Sequence, residues 1–215
     1  AGAGHPRLAG KRVIVSGGGS GIGAAIVEGF AMQGAAVAFV DVAGEASEAL
    51  VARLKHVPII PKFIQCDITD IFDYGEKIAN IVHRLGGCEV LINNAASDDR
   101  HAIVDVTPAY WDERMAVNLK HQFFAAKAVV PAMTAVGGGS IINLGSISWH
   151  LGLEELTVYQ TAKAAIEGLT RSLARELGRS NIRVNCIVPG NVQTPRQEKW
   201  YTPEGEAEIV VAQCL

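Results

Sequence analysis

Five glycines crowd the stretch Ser16-Gly17-Gly18-Gly19-Ser20-Gly21-Ile22-Gly23. Such a run after a strand and before a helix lets the backbone approach a pyrophosphate, while the helix N-terminus supplies free N–H groups. Gly19-x-Gly21-x-x-Ala24 fits the shorter dinucleotide fingerprint, a pattern that a plain strand-to-helix turn can also carry. Asp41 lies 20 residues after Gly21, at the end of the next apolar run. An acid there accepts hydrogen bonds from the adenosine ribose and repels a 2′-phosphate. Val42 and Ala43 follow it, and neither Lys nor Arg lies in the glycine loop. The expected cofactor is therefore NAD rather than NADP.

Tyr159 and Lys163 are four residues apart, so one helix face would carry both. A free tyrosine, with a pKa of about 10, is a poor base at neutral pH. An ammonium one turn away and an oxidised nicotinamide both favour the phenolate. Lowering the tyrosine pKa by roughly 2–3 units takes about 3–4 kcal/mol, within reach of two cations in a closed site. Taken alone, Tyr-x-x-x-Lys also describes an ordinary surface pair. Ser146, thirteen residues earlier, makes the set chemical: its hydroxyl can hold a substrate oxygen while Tyr159 exchanges the proton. Ser148 competes with it for that role.

These groups need elements to position them. β-branched runs at Lys11–Ser16, Ala36–Val42, Pro58–Cys66, Glu89–Asn93, Ser140–Leu144 and Ile182–Val188 alternate with helical patterns. Met115, Leu119, Phe123, Ala126, Val130 and Met133 stripe one helix over Trp111–Met133, and Val158, Ala162, Ile166, Leu169, Leu173 and Leu177 stripe another. Apolar strands alternating with helices predict a single α/β domain over residues 1–215. Its doubly wound parallel sheet is Rossmann-like, with helices on both faces and ligands at the carboxyl ends of the strands.

Gly17-x-x-x-Gly21-Ile22-Gly23, Asn93-Asn94-Ala95, Asn118, Ser146, Tyr159-x-x-x-Lys163 and Pro189-Gly190 follow one another in the order seen in the short-chain dehydrogenase/reductase family, which this sequence resembles. The resemblance implies Ser146 as the substrate-orienting group and Tyr159 as the general acid/base. It implies Lys163 as the group that lowers the tyrosine pKa and binds the nicotinamide ribose. Asn118 would hold a helix distortion and a relay water. Gly17, Gly19, Ser20, Gly21, Ile22 and Gly23 would cradle the pyrophosphate, with Asp41 on the ribose and Asp67-Ile68 at the adenine. Asn93 and Ala95 would line the cofactor through their backbone, and Pro189, Gly190, Val192 and Thr194 would flank the nicotinamide. Two positions depart from the family pattern: Ser16 replaces the usual threonine and keeps its hydroxyl, and Ala96 replaces a glycine beside the nicotinamide.

Three loops should frame the substrate: Asp98–His101, Ser146–Gly152 and Asn191–Tyr201. They are rich in hydrogen-bonding side chains and include Trp149 and Trp200, a mixture suited to a carbohydrate rather than a fatty-acyl chain. They resemble the loops of the family's NAD-dependent sugar 1-dehydrogenases, which implies C1 oxidation of an aldopyranose, D-xylose first, to the lactone. Asp98, Ser148, Trp149 and Asn191 are the expected sugar contacts. Rival readings are a dehydrogenase for another sugar, a sugar acid or a secondary alcohol, and a nucleotide-binding regulator without catalysis. The intact Asn118–Ser146–Tyr159–Lys163 set argues against the last, since binding alone does not need all four.

The bulk composition excludes other classes. Apolar residues make up 49% and charged residues 19%, enough to build a core. A net charge of −3 offers no basic face for nucleic acid. No membrane span is expected, because the most apolar stretch, Ala24 to Val42, is broken by Glu28 and Gln33. Cys66, Cys88, Cys186 and Cys214 form no CxxC pair, so no metal site is expected and buried thiols in the cytoplasm are. The wide stripes of the two long helices fit a homodimer or homotetramer. The family's seventh strand has no residues after Val188, so the chain is expected to lack a C-terminal segment. Its methionine-free start is expected to be a processed or appended end.

Overall fold

Val13 and Val15 are buried on one face of the first strand and Ile14 on the other, the parity that a strand covered on both sides demands. The computed structural model describes residues 8–195, 197–200 and 202–212. Arg196, Tyr201, Cys214 and the N-terminal Ala1–Gly4 lie outside them, as do the side chains of Lys199 and Trp200. Six parallel strands run β1 (Arg12–Ser16), β2 (Ala36–Asp41), β3 (Lys62–Gln65), β4 (Val90–Asn93), β5 (Gly139–Leu144) and β6 (Ile182–Ile187). Their order across the sheet is β3-β2-β1-β4-β5-β6. The chain crosses the sheet between β3 and β4, which leaves a switch point between β1 and β4. There Ser16 lies opposite Asn93, and a crevice opens beyond the strand ends.

Helices α1 (Gly21–Met32) and α2 (Gly44–Arg53) cover one face. There Val27, Ala31 and Leu50 pack with Val13, Val15, Val37 and Phe39. On the other face lie α3 (Ile71–Leu85), α5 (His121–Ala135) and α7 (Thr157–Leu177), where Tyr74, Ile78, Val129, Met133 and Leu173 pack with Ile14, Val40, Leu91 and Ile141. Local signals set the ends of α3: Asp70 caps it by accepting from Asp73 N–H at 3.1 Å, and Gly86 ends it at φ 74°. The short α4 (Pro108–Met115) begins with Thr107 accepting from Tyr110 N–H.

Two expectations change. The single helix that the apolar stripe suggested over Trp111–Met133 is interrupted by a π-helical turn at Ala116–Lys120 between α4 and α5, the helix distortion that the resemblance implied at Asn118. Asn118 inside that turn gives its side-chain amide to the Arg114 carbonyl, four residues back, and to Ser97 O. Occupying an i−4 carbonyl with a side chain widens the helix locally. The third strand is four residues long, against nine expected over Pro58–Cys66. The chain also forms α6 (Ser148–Leu151) after β5 and α8 (Pro203–Ala212) near its end. No described helix is long and apolar enough to cross a membrane.

Candidate active site

β1 delivers Ser16 to the crevice, where its hydroxyl accepts from the backbone N–H of Asn94 (3.1 Å) and Ala95 (3.2 Å). The hydroxyl kept at this position thus ties the glycine loop to the end of β4. Asn94 adds a second tie, donating its side-chain amide to Ser16 O and Gly17 O. The loop has no room for side chains at several points, two of them against backbone. A Cβ at Gly23 would lie 1.8 Å from the Gly17 carbonyl oxygen. Gly17 has φ +67°, and a Cβ there would sit 2.7 Å from Ala95 Cα. Ser20, the residue before α1, makes no side-chain capping bond, so the first N–H groups of α1 are left to a ligand. Asp41 ends β2 with both carboxylate oxygens oriented: Oδ2 accepts from Gly19 N–H at 2.8 Å and Oδ1 from Ala43 N–H at 2.9 Å.

A cavity of about 590 Å³ runs along the carboxyl ends of the strands. Of the expected cofactor residues, Gly17, Ser20, Gly21, Ile22, Gly23, Asp41, Asp67, Ile68, Ala95, Pro189, Gly190, Val192 and Thr194 line it. Gly19 and Asn93 do not. Gly19 instead orients Asp41, and Asn93 is wholly buried, donating to Asn143 Oδ1 at 2.9 Å and to Gln122 O. Ala96, where a glycine was expected, is part of the wall.

Ser146, Tyr159 and Lys163 line the same cavity. α7 carries the last two on one face, with Lys163 Nζ 5.4 Å from the Tyr159 ring centre. The Lys163 side chain is only 2% exposed and donates to Leu144 O at 2.8 Å. Burial pushes its ammonium down to about 8, against the opposing pull of Cys186 and Asp98. A cation so disfavoured binds strongly to any anion that forms beside it, and a tyrosine phenolate is such an anion. Ser146 donates to Ser148 Oγ at 2.9 Å and accepts from Ser148 N–H at 3.1 Å, so the two rival serines form one unit. Asn118 stands beneath the cavity rather than in its wall. Its side chain is committed to Ser97 and Arg114, which leaves the backbone of the π turn as the part that can act.

Three of the four expected sugar contacts, Asp98, Ser148 and Asn191, line the cavity. Trp149 is outside that lining: its indole N–H donates to Glu167 on α7 at 2.9 Å, and its ring stacks on His150. Other residues around the site take parts that the sequence argument did not assign, His101 having been placed only within a loop that frames the substrate. His101 Nε2 accepts from the Val158 N–H at 3.2 Å, capping α7 one residue before Tyr159. Its own N–H donates to Glu155 O, and its Nδ1 meets the Tyr110 hydroxyl at 3.0 Å. Asn143 passes the Asn93 bond on to Thr170 Oγ1 at 2.9 Å, joining β4, β5 and α7 inside the core. Thr170 is seven residues from Lys163 and so on its helix face, a signal available from spacing alone. His121 and Tyr74 are wholly buried behind the site with rings 6.2 Å apart, and burial pushes His121 down to about 3.

Comparison with known proteins agrees with this geometry. The short chain dehydrogenase family matches residues 11–205. The D-xylose 1-dehydrogenase of Caulobacter vibrioides is 59% identical over 211 residues, 98% of this chain and 84% of that protein. A probable galactose dehydrogenase of Rhizobium meliloti is 50% identical over 212 residues, 98% of this chain and 83% of its own. Among solved structures, the L-sorbose reductase of Gluconobacter frateurii, in complex with NADPH and L-sorbose, superposes with a TM-score of 0.86. It is 30% identical, covering 90% of this chain and 74% of that one. The chain thus belongs to the short chain dehydrogenase family, oxidoreductases acting on CH–OH groups.

Proposed function

We propose that this chain is an NAD-dependent sugar 1-dehydrogenase that oxidises the C1 hydroxyl of D-xylopyranose to the lactone. The observation that carries the reading is one cavity whose wall includes Asp41, Ser146, Tyr159 and Lys163 together with Asp98, Ser148 and Asn191. The residues present fit a dinucleotide, since the loop at Gly17 and Gly23 excludes a Cβ and α1 begins without a side-chain cap. The glycine loop would hold the pyrophosphate, Asp41 the adenosine ribose and Lys163 the nicotinamide ribose. Asp41 supports NAD over NADP, because a 2′-phosphate would meet its carboxylate and neither Val42 nor Ala43 can neutralise it.

When bound, the nicotinamide supplies the acceptor for the hydride leaving C1. The Ser146–Ser148 pair holds the C1 oxygen. Tyr159, as the phenolate, takes the proton from that oxygen, and Lys163 stabilises the phenolate until the proton leaves through the backbone of the π turn and water. The whole chain acts as one domain, and we extend the reading to a homo-oligomer in the cytoplasm. The half-exposed Trp111 and Phe123 on α4 and α5 support a partner contact there.

The test is NADH absorbance over a panel of pentoses and hexoses with NAD and NADP, for wild type and Tyr159→Phe. D-xylose with NAD should give the highest kcat/KM. Tyr159→Phe should lose roughly 10²–10⁴ in turnover while keeping NADH affinity. Preference for NADP, preference for another aldose, or a variant near the wild-type rate would each remove the corresponding part of the reading.

A further inference from the structure

Asp98 and Gln197 are 99 residues apart in the chain, yet Gln197 Nε2 donates to Asp98 Oδ2 at 2.9 Å. The bond joins the loop after β4 to the turn after β6, and both residues line the cavity that holds Ser146, Tyr159 and Lys163. Gln197 is held from the cofactor side. Its backbone N–H donates to Thr194 Oγ1 at 3.3 Å, and Glu198 N–H donates to Thr194 O at 3.0 Å. Thr194 in turn lies against the glycine loop, with its Cγ2 3.5 Å from where a Gly21 Cβ would stand. Thus a turn anchored at the cofactor loop presents an amide to the substrate side.

The two groups are chemically complementary. A carboxylate only accepts hydrogen bonds, whereas a primary amide offers two N–H donors and one acceptor. Side by side they form an alternating array of acceptor and donor. A vicinal diol matches such an array, because each hydroxyl both donates and accepts. A hydrocarbon alcohol would bury the same groups without partners, which is how polar pockets reject apolar ligands.

We propose that Gln197 is a specificity-determining residue that, with Asp98, clamps vicinal hydroxyls of a polyol substrate next to the carbon being oxidised. The proposal rests on the aldose reading above and deepens it. In the clamp, the amide bonds one sugar hydroxyl while Asp98 bonds its neighbour, and Thr194 keeps both in register with the cofactor.

The test compares wild type, Gln197→Ala and Gln197→Glu with NAD and four substrates: D-xylose and its 2-, 3- and 4-deoxy analogues. NADH affinity is measured alongside by fluorescence to report on folding and on the cofactor side. Gln197→Ala should raise KM for D-xylose about tenfold, the size of one hydrogen bond to a hydroxyl backed by a charge, with the loss on KM rather than kcat. Gln197→Glu should do so by more, since it sets a second carboxylate against Asp98. One deoxy analogue should already be poor for the wild type and be used about equally by the wild type and Gln197→Ala, which identifies the clamped hydroxyl. A KM unchanged in both variants, a rise equal for D-xylose and all three analogues, or loss of NADH binding in both variants would each overturn the clamp. If the wild type forms no NADH with any aldose, the aldose reading falls first and the clamp falls with it.

Discussion

Replacing Lys163 by methionine tests the electrostatics of the site without relying on turnover. The lysine is 2% exposed, and burial lowers it from its ordinary value of 10.5 to about 8. In the unfolded chain it would keep its proton up to about 10.4. Between these values the unfolded state binds one more proton than the folded state, so stability rises with pH there, at about 1.4 kcal/mol per pH unit. Below the folded value both states are protonated and the slope vanishes; above the unfolded value both are neutral. Across the window the gain is about 3 kcal/mol. Methionine keeps the length of the side chain and does not titrate. It also deprives the Leu144 carbonyl of its donor, a cost of about 1–3 kcal/mol that does not depend on pH and so cancels in the comparison. The assay is denaturant unfolding of both proteins without cofactor, from about pH 7 to about pH 10. The wild type should stay at a constant offset from Lys163→Met up to about pH 8, then gain about 2–3 kcal/mol on it by pH 10. A difference that stays flat, or that favours the wild type as pH falls, would refute a desolvated lysine. It would also remove the reason for the ammonium to grip a phenolate.

Two further substitutions probe the frame around that lysine. Gly23→Ala places a methyl 1.8 Å from the Gly17 carbonyl oxygen and 2.6 Å from the Asn94 amide, so α1 must shift. NADH affinity by fluorescence titration should fall by roughly a hundredfold or more, about 3 kcal/mol, and an intact affinity would show that this loop is not the cradle. His101→Ala removes the acceptor that caps α7 at Val158, which should cost about 1 kcal/mol of unfolding free energy. His101→Gln, which keeps an acceptor, should recover part of that loss, and equal stability of all three proteins would show that the cap carries no weight.

Much of this was legible along the chain because the signals are local. Helix and strand periods follow from a few neighbouring residues, so the six strands, the positions of α1, α3 and α7, and the placing of Tyr159 and Lys163 on one face could be anticipated. The glycine loop and Asp41 were readable for the same reason: their spacing is set by one strand–helix–strand unit. Trp149 shows where this stops. Its type suited a sugar face, but the turn of α6 sends its indole to Glu167 instead. The apolar stripe through Asn118 did not register the π turn, because that turn depends on where one side-chain amide goes, to the Arg114 carbonyl; only the family resemblance pointed to a distortion there.

The sequence by itself therefore determined the order of strands and helices, the parallel sheet implied by that order, and the residue types able to bind a dinucleotide and move a proton. Only the tertiary structure decided which loops meet: His101 on α7 across 57 residues, Gln197 on Asp98 across 99, and Asn143 between Asn93 and Thr170. The physical reason is that parallel crossovers bring the carboxyl ends of distant strands to one edge. Side-chain partners there depend on sheet order and loop path, which no local period encodes.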